Sequence, residues 1–294
     1  MFAAKKIMGW VNYHSHSTFS DGKEAPEAYV QQAIALGMPA YGFSDHAPLP
    51  FDTVWAMPGD KAGAYVKTIQ ALKEKYSKEI ELYTGLEIDY IPGKTSPANK
   101  LFANMGLDYK IGSVHYAGTD LNGRDWSIDG TAAHFDEGVS KIYHGDIKPL
   151  VRLYYQLVQE MVTNFPPDFV GHIDKIKMHN LHNRYFNESD DWYKELLLQT
   201  IDVVAARGIA VEVSTRGMCK GIIDDLYPSS WVLGEMCQRN IPVVINADNH
   251  HSKDMQYGFG LAADKLLKAG YRHVRVLYNG KWQDAGFDSD GIYL

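Results

Sequence analysis

The chain is poor in cysteine, with only Cys219 and Cys237 in 294 residues. Two thiols in a chain this long do not make a disulfide framework, so a reduced, cytoplasmic setting is expected. Long apolar runs are also missing: no stretch approaches the roughly 18 residues of a membrane span. Lys5 and Lys6 near the start are followed by Gly9, Asn12, His14 and His16 rather than by the apolar centre of a secretion signal. Neither export nor membrane residence is expected. Positive charge is in deficit, since 29 Lys and Arg against 36 Asp and Glu give a formal net charge of -7. That balance argues against a general nucleic-acid binder and leaves any anionic substrate to a few placed cations or to metal. No Ser/Gly/Pro-rich linker or charge block interrupts the chain, so one domain over residues 1–294 is expected.

What is present is an alternation of short apolar runs and helical periods. Trp10-Val11, Tyr41-Gly42-Phe43, Ile80–Ile88, Tyr109–Val114, Phe169–Ile173, Ile209–Val213 and Pro242–Ala247 read as buried strands. Helical spacing runs through Glu24–Leu36, with Ala28, Ala33 and Leu36 on the apolar side. It returns in Tyr193–Ala206, with Leu196, Leu197, Ile201, Val204 and Ala205. Pro26 near the start and Gly37 past the end of the first helix fit the asymmetry of helix termini. A last helix, Leu261–Lys268, ends at Gly270 and leads to a strand at Val274–Tyr278; residues 258–278 are expected to be peripheral. Alternation of this kind predicts right-handed βαβ units around a parallel sheet. With seven strands before the final one, the α/β architecture expected is a barrel.

Polar residues that bind metal fall at the carboxyl ends of those strands. His14 and His16 follow the first strand, and one intervening residue puts both on one face. Asp45 and His46 follow the second, Glu87 ends the third, and His115 follows the fourth. His172 lies at the fifth, Glu212 at the sixth, and Asp248 with His250 after the seventh. In a parallel barrel these ends converge on the rim where active sites are built. A single histidine or carboxylate at such a place is ordinarily a hydrogen-bonded or solvated polar group. Seven strand ends in succession are not explained that way, and a buried set of this kind needs the compensating charge that divalent cations provide. The other six histidines, His134, His144, His179, His182, His251 and His273, fall on helices, loops or the last strand and read as surface or supporting polarity.

These motifs resemble the polymerase and histidinol phosphatase (PHP) superfamily, and within it the monofunctional histidinol-phosphate phosphatases. The matching segments are His14-Ser15-His16 with Ser20-Asp21-Gly22, Ser44-Asp45-His46-Ala47-Pro48-Leu49, Gly85-Leu86-Glu87-Ile88-Asp89-Tyr90-Ile91-Pro92-Gly93, Gly112-Ser113-Val114-His115, Gly171-His172-Ile173-Asp174 and Asn246-Ala247-Asp248-Asn249-His250. They run in order from residue 13 to about residue 250. The resemblance implies a distorted seven-stranded (β/α) barrel holding three divalent metals. By it, His14, His16, Glu87 and Asp248 hold the first ion, and a shared Glu87 with His115 and His172 holds the second. His46, His250 and Asp21 hold the third. Such mixed nitrogen and oxygen donors suit zinc, iron or manganese.

The implied chemistry is hydrolysis of a phosphate monoester, L-histidinol phosphate first among them, by a metal-bridging hydroxide. Asp248, Asp45 and His250 are the candidates for the acid that protonates the leaving alkoxide. Where the family usually carries Glu-(Ile/Leu)-Asn-Thr-Ser-Gly-Leu-Arg-Lys, this chain reads Glu212-Val213-Ser214-Thr215-Arg216-Gly217-Met218-Cys219-Lys220. Cys219 replaces the family arginine, and Arg216, assisted by Lys220, is expected to grip phosphate instead. Trp126 is expected at the substrate, with Asp129, Tyr116, Phe51 and Trp55 as further partners for an imidazole and an amine. Three alternatives stand beside this reading. One is a phosphatase for another small ester, a nucleotide or a sugar phosphate. Another is an amidohydrolase, disfavoured because Glu87 rather than a lysine takes the bridging place. The third is a non-catalytic metal-binding module, disfavoured by the intact ligand pattern. The expected partner is a small phosphorylated metabolite, with no nucleic acid and no membrane; association into a homo-oligomer is compatible with the sequence.

Overall fold

A computed structural model describes residues 7–293. The chain enters through β1 (Ile7–Gly9) and continues through β2 (Ala40–Phe43), β3 (Glu81–Asp89), β4 (Tyr109–Ser113), a side hairpin of β5 (Tyr116–Thr119) and β6 (Asp125–Ser127), β7 (Phe169–Val170), β8 (Ala210–Ser214) and β9 (Val243–Asn246). Strands β2, β3, β4, β7, β8 and β9 pair in that order, every neighbour parallel, as a curled six-stranded sheet. Helices fill the connections, and their inward faces follow from spacing. In the helix Ile147–Asn164, Leu150, Val151, Tyr154, Tyr155, Val158, Met161 and Val162 are buried at three- and four-residue steps. The helix anticipated at Glu24–Leu36 spans Pro26–Ala35 with proline at its first turn, and the one at Tyr193–Ala206 spans Asp191–Arg207.

The seventh stave differs from expectation. Trp10-Val11 forms no strand, and the chain from Asn12 to His16 closes the gap between β2 and β9 with isolated parallel bridges, Asn12 to Tyr41 and Ser15 to Asn249. Side-chain amides stand in for the missing ladder. Asn12 Oδ1 accepts from Ala247 N at 3.1 Å, Asn246 Oδ1 accepts from Tyr13 N at 2.8 Å, and the Asn12 and Asn249 side chains bond at 2.6 Å. A backbone satisfied by side chains need not keep strand dihedrals, which is why the stave is irregular.

The carboxyl-terminal segment also differs. β10 (His273–Tyr278) belongs not to the barrel but to an antiparallel sheet of order β1, β12 (Gly291–Tyr293), β11 (Lys281–Asp288), β10. This sheet is not peripheral, because Val276, Leu277, Ala285, Phe287 and Ile292 share one hydrophobic core with the barrel strands. It closes the amino-terminal mouth. Tyr13, Tyr109, Phe169 and Trp282 meet there with ring centroids 5.5–6.3 Å apart. The Tyr109 side chain lies across Gly42 and Gly85, where a Cβ would come within 2.5 Å of its hydroxyl and 2.4 Å of its ring. Only glycine admits the ring at either position. Among the described residues no helix is long and apolar enough to cross a membrane.

Candidate metal centre

At the opposite mouth six histidines and two aspartates, His14, His16, His46, His115, His172, His250, Asp21 and Asp248, gather around Glu87. The Glu87 carboxylate is buried, and Ser113 Oγ donates to its Oε1 at 2.6 Å. That bond exists because residue 171 is glycine, where a Cβ would lie 2.6 Å from Ser113 Oγ. Glu87 Oε2 faces His14 Nε2 at 3.3 Å, His16 Nε2 at 3.5 Å and His46 Nδ1 at 2.9 Å. Oε1 faces His172 Nε2 at 2.9 Å and His115 Nε2 at 3.6 Å. Asp248 Oδ1 lies 3.2 Å from His16 Nε2 and 3.7 Å from His14 Nε2. Asp21 sits outermost, 3.2 Å from His250 Nε2 and 3.9 Å from His46 Nε2.

Several groups of donors fall within reach of a single ion: His14, His16 and Asp248; His14, Glu87 and His172; His46, Glu87 and His115; and His16, Asp21, His46 and His250. Such buried nitrogen and oxygen donors fit a divalent cation, and the satisfaction of their atoms points the same way. His14 Nε2, both ring nitrogens of His16, His46 Nδ1 and Asp21 Oδ1 are buried and, among the described residues, make no aligned hydrogen bond, even where an opposite group lies close, as Glu87 Oε2 does to His46 Nδ1. Buried polar atoms are rarely left so, and each one costs about 1–3 kcal/mol.

A second layer of carboxylates orients the rings. Glu212 Oε1 accepts from His14 Nδ1 at 2.6 Å, and Glu212 Oε2 accepts from His172 N at 2.9 Å. Asp89 Oδ1 does the same for His115, 3.0 Å from both its Nδ1 and its backbone N. With Nδ1 donating, each ring presents its Nε2 lone pair to the centre. Asp248 reaches in from a left-handed backbone, φ 48°, a conformation aspartate tolerates better than most residues.

The electrostatics divide the histidines. Burial alone would lower the His14 pKa, yet Glu212, Glu87 and Asp248 hold it well above the ordinary value. His16 is pushed well below its ordinary value by burial and by the neighbouring His46 and His250. Burial would raise Glu87 and Asp248, but His14 and the other facing histidines pull both carboxyls well below the usual range. The centre is thus built from ionised acids against nitrogen donors.

A cavity of about 360 Å³ opens over Asp21, His46, Asp248 and His250. Arg216 and Lys220 line it, as the sequence suggested, and so does Lys175, which sequence reasoning missed. Lys175 Nζ pairs with Asp129 Oδ2 at 3.0 Å. Burial opposes the charge on Asp129, and Lys175 and His115 bring its pKa down to about 2. Trp55, Met178, Ile222 and Tyr227 supply the apolar walls. Tyr116 and Phe51 stand behind Trp55, with centroids 5.8 Å between Trp55 and Tyr116 and 5.5 Å between Tyr116 and Phe51.

Two expected site residues lie elsewhere. Trp126 is buried outside the cavity, its ring against Phe135 and Tyr143 and directly over Gly138. A tryptophan on a site loop is drawn into the core by its apolar area, and this one packs under the helix Ala132–Ile142. Asp45 is fully buried, with Oδ1 accepting from Ser17 N, Ser20 N and Ser20 Oγ and Oδ2 from Ser17 Oγ, at 2.6–3.0 Å. Burial raises its pKa. Its work is to hold the turn that carries Asp21, and it does not reach the cavity.

Fold and site together define a parallel β/α barrel whose strand ends carry a histidine and carboxylate cluster able to hold metal. A family model described as the PHP domain matches residues 12–216, and the chain belongs to that family. The "Probable histidinol-phosphatase" of Deinococcus radiodurans is 30% identical over 271 residues, covering 91% of this chain and 96% of that one. A crystal structure of the hisK protein of Listeria monocytogenes superposes with a TM-score of 0.77 at 22% identity, over 85% of this chain and 99% of the other. The histidinol phosphate phosphatase of Lactococcus lactis, complexed with zinc, L-histidinol and phosphate, superposes with a TM-score of 0.63 at 21% identity, over 98% of this chain and 99% of the other.

Proposed function

We propose that the protein is a metal-dependent phosphomonoesterase that hydrolyses L-histidinol phosphate to L-histidinol and phosphate. The observation that carries this reading is Glu87, a buried carboxylate whose two oxygens face separate sets of histidines, 2.9–3.6 Å away, beneath a cavity walled by Arg216, Lys220 and Lys175. The Deinococcus relative carries the matching name over nearly its whole length.

In this proposal one ion lies among His14, His16, Glu87 and Asp248, a second among Glu87, His115 and His172, and a third among Asp21, His46 and His250. Divalent ions held there supply a nucleophile ionised at neutral pH and neutralise phosphoryl charge. Zinc is favoured by the donor set and by the Lactococcus complex.

The chain's own residues then do the rest. Arg216 presents a fork matched to phosphate oxygens, and Lys220 and Lys175 add point charges. Trp55, Tyr227 and Met178 exclude water from the ester's organic half. The leaving alkoxide takes its proton from a group that borders the cavity and holds a proton: His250 borders it, Asp248 borders it but is held ionised by the facing histidines, and Asp45 does not reach it. Two unpaired cysteines and an acidic balance suit work in a reducing cytoplasm.

Protein loaded in turn with zinc, manganese and iron tests the reading by phosphate release from histidinol phosphate beside nucleotide and sugar monophosphates. A preference for histidinol phosphate is expected. A preference for another ester moves the substrate to that class, a reading that Cys219 in place of the family arginine keeps in play.

A further inference from the structure

Lys177 is a buried lysine that the mechanism does not use. It is 3% exposed and does not line the catalytic cavity. Its ammonium pairs with Asp174 Oδ2 at 2.8 Å, donates to Leu226 O at 2.8 Å and donates to Ser229 Oγ. Ser229 N in turn donates to the same Asp174 oxygen at 2.9 Å. One cation thus joins the turn after β7, which begins at His172, to the segment 226–229.

That segment is the floor under Arg216. Tyr227 lies between the two lysine acceptors, and the ammonium sits 5.4 Å above its ring. Tyr227 also pairs with Ser214 at the end of β8, through Ser214 N to Tyr227 O at 2.7 Å and Tyr227 N to Ser214 O at 3.1 Å. Its ring packs against Gly217, where a Cβ would come within 2.8 Å of it and 2.4 Å of Ile223. Arg216 is therefore carried on a short turn whose underside is the Tyr227 ring, and the segment bearing that ring is tethered by Lys177.

We propose that Lys177 is a positioning residue for substrate phosphate: through Leu226, Tyr227 and Ser229 it fixes the turn that aims Arg216 into the cavity. A buried lysine whose hydrogens go to a backbone carbonyl, a hydroxyl and a carboxylate has a rigid geometry, unlike the solvated Lys220. Rigidity is what a phosphate grip needs, since small misplacements of a binding group are costly. The proposal rests on the phosphomonoesterase reading.

The test is a double-mutant cycle between Lys177→Met and Arg216→Ala, reading KM, kcat, metal content and the dissociation constant of inorganic phosphate. In the wild-type background K177M is expected to raise KM and the phosphate dissociation constant by about tenfold, with kcat and metal content little changed. In the R216A background it is expected to add almost nothing, because the residue it positions is gone. Because K177M leaves Asp174 without its counter-charge, the Lys177→Met, Asp174→Asn pair is measured in parallel and is expected to show the same non-additivity. Full additivity with R216A, loss of metal, or failure of both variants to fold overturns the proposal, the last by making the pair a determinant of the fold alone. A wild-type protein that hydrolyses no phosphomonoester defeats the functional reading instead. An active wild type with an unchanged K177M defeats only this inference.

Discussion

The two mouths of the barrel are made from the same strands and have opposite chemistry. β4 opens with Tyr109 and hands on to His115, β7 opens with Phe169 and hands on to His172, and the irregular stave sends Tyr13 down and His14 and His16 up. At the amino-terminal mouth aromatic rings fill the space and the carboxyl-terminal sheet seals it. At the carboxyl-terminal mouth ionised acids face histidines whose inward ring nitrogens lack an aligned hydrogen bond. The contrast teaches that the aromatic end supplies packing free energy while the polar end carries a local cost, and that parallel strands let one core support the other.

That division can be broken by mutation at either end. The largest effect is expected from Glu87→Ala, which removes the shared carboxylate: turnover should fall by at least about a thousandfold, with loss of bound metal by elemental analysis. Full activity and normal metal in that variant would separate Glu87 from the chemistry. Trp282→Ala at the sealed mouth should lower unfolding free energy by about 3 kcal/mol in denaturant titration, while the surviving folded protein keeps its metal. Metal loss there would mean the two mouths are not independent. Arg216→Ala should raise KM by about ten- to a hundredfold, read by steady-state kinetics, with metal content unchanged.

The smallest effect concerns Asp129, whose pKa lies at about 2 beside Lys175, against an ordinary 3.8. A carboxyl with a depressed folded pKa contributes stability above its unfolded pKa and loses it as pH falls through the folded value. Asp129→Asn should therefore cost about 1 kcal/mol at neutral pH, and the difference from wild type should vanish between roughly pH 4 and pH 2. A difference that persists at pH 2 would assign the effect to packing.

Six barrel strands were legible because buried parallel strands read as continuous apolar runs between turns. The seventh was not, because Asn12, Asn246 and Asn249 bond across more than 230 residues to replace a ladder. β11 and β12 escaped notice since Lys281–Asp288 buries only Ala285 and Phe287 and its first half carries no apolar alternation. In the site, the strand-end pattern picked out every proposed metal-binding residue except Asp21, which only the family resemblance named, whereas the orienting roles of Glu212 and Asp89 depend on contacts that spacing does not encode. Nothing in the sequence singled out Lys175, which the turn after β7 brings to Asp129. Asp45 and Trp126 were misplaced for the converse reason: Asp45 precedes His46 and Trp126 shares a loop with Asp129, but their side chains face serines and the core respectively.

The irregular stave has a consequence for biosynthesis. His14 and His16 are made early, but their partners Glu212 and Asp248 lie 198 or more residues later, so the donor set is completed only when nearly the whole chain has emerged. Long-range closure of this kind comes late in folding. A nascent chain stopped before residue 248 should carry Glu87 and the earlier histidines without Asp248 and His250, which ties completion of the donor set to the finished protein rather than to its synthesis.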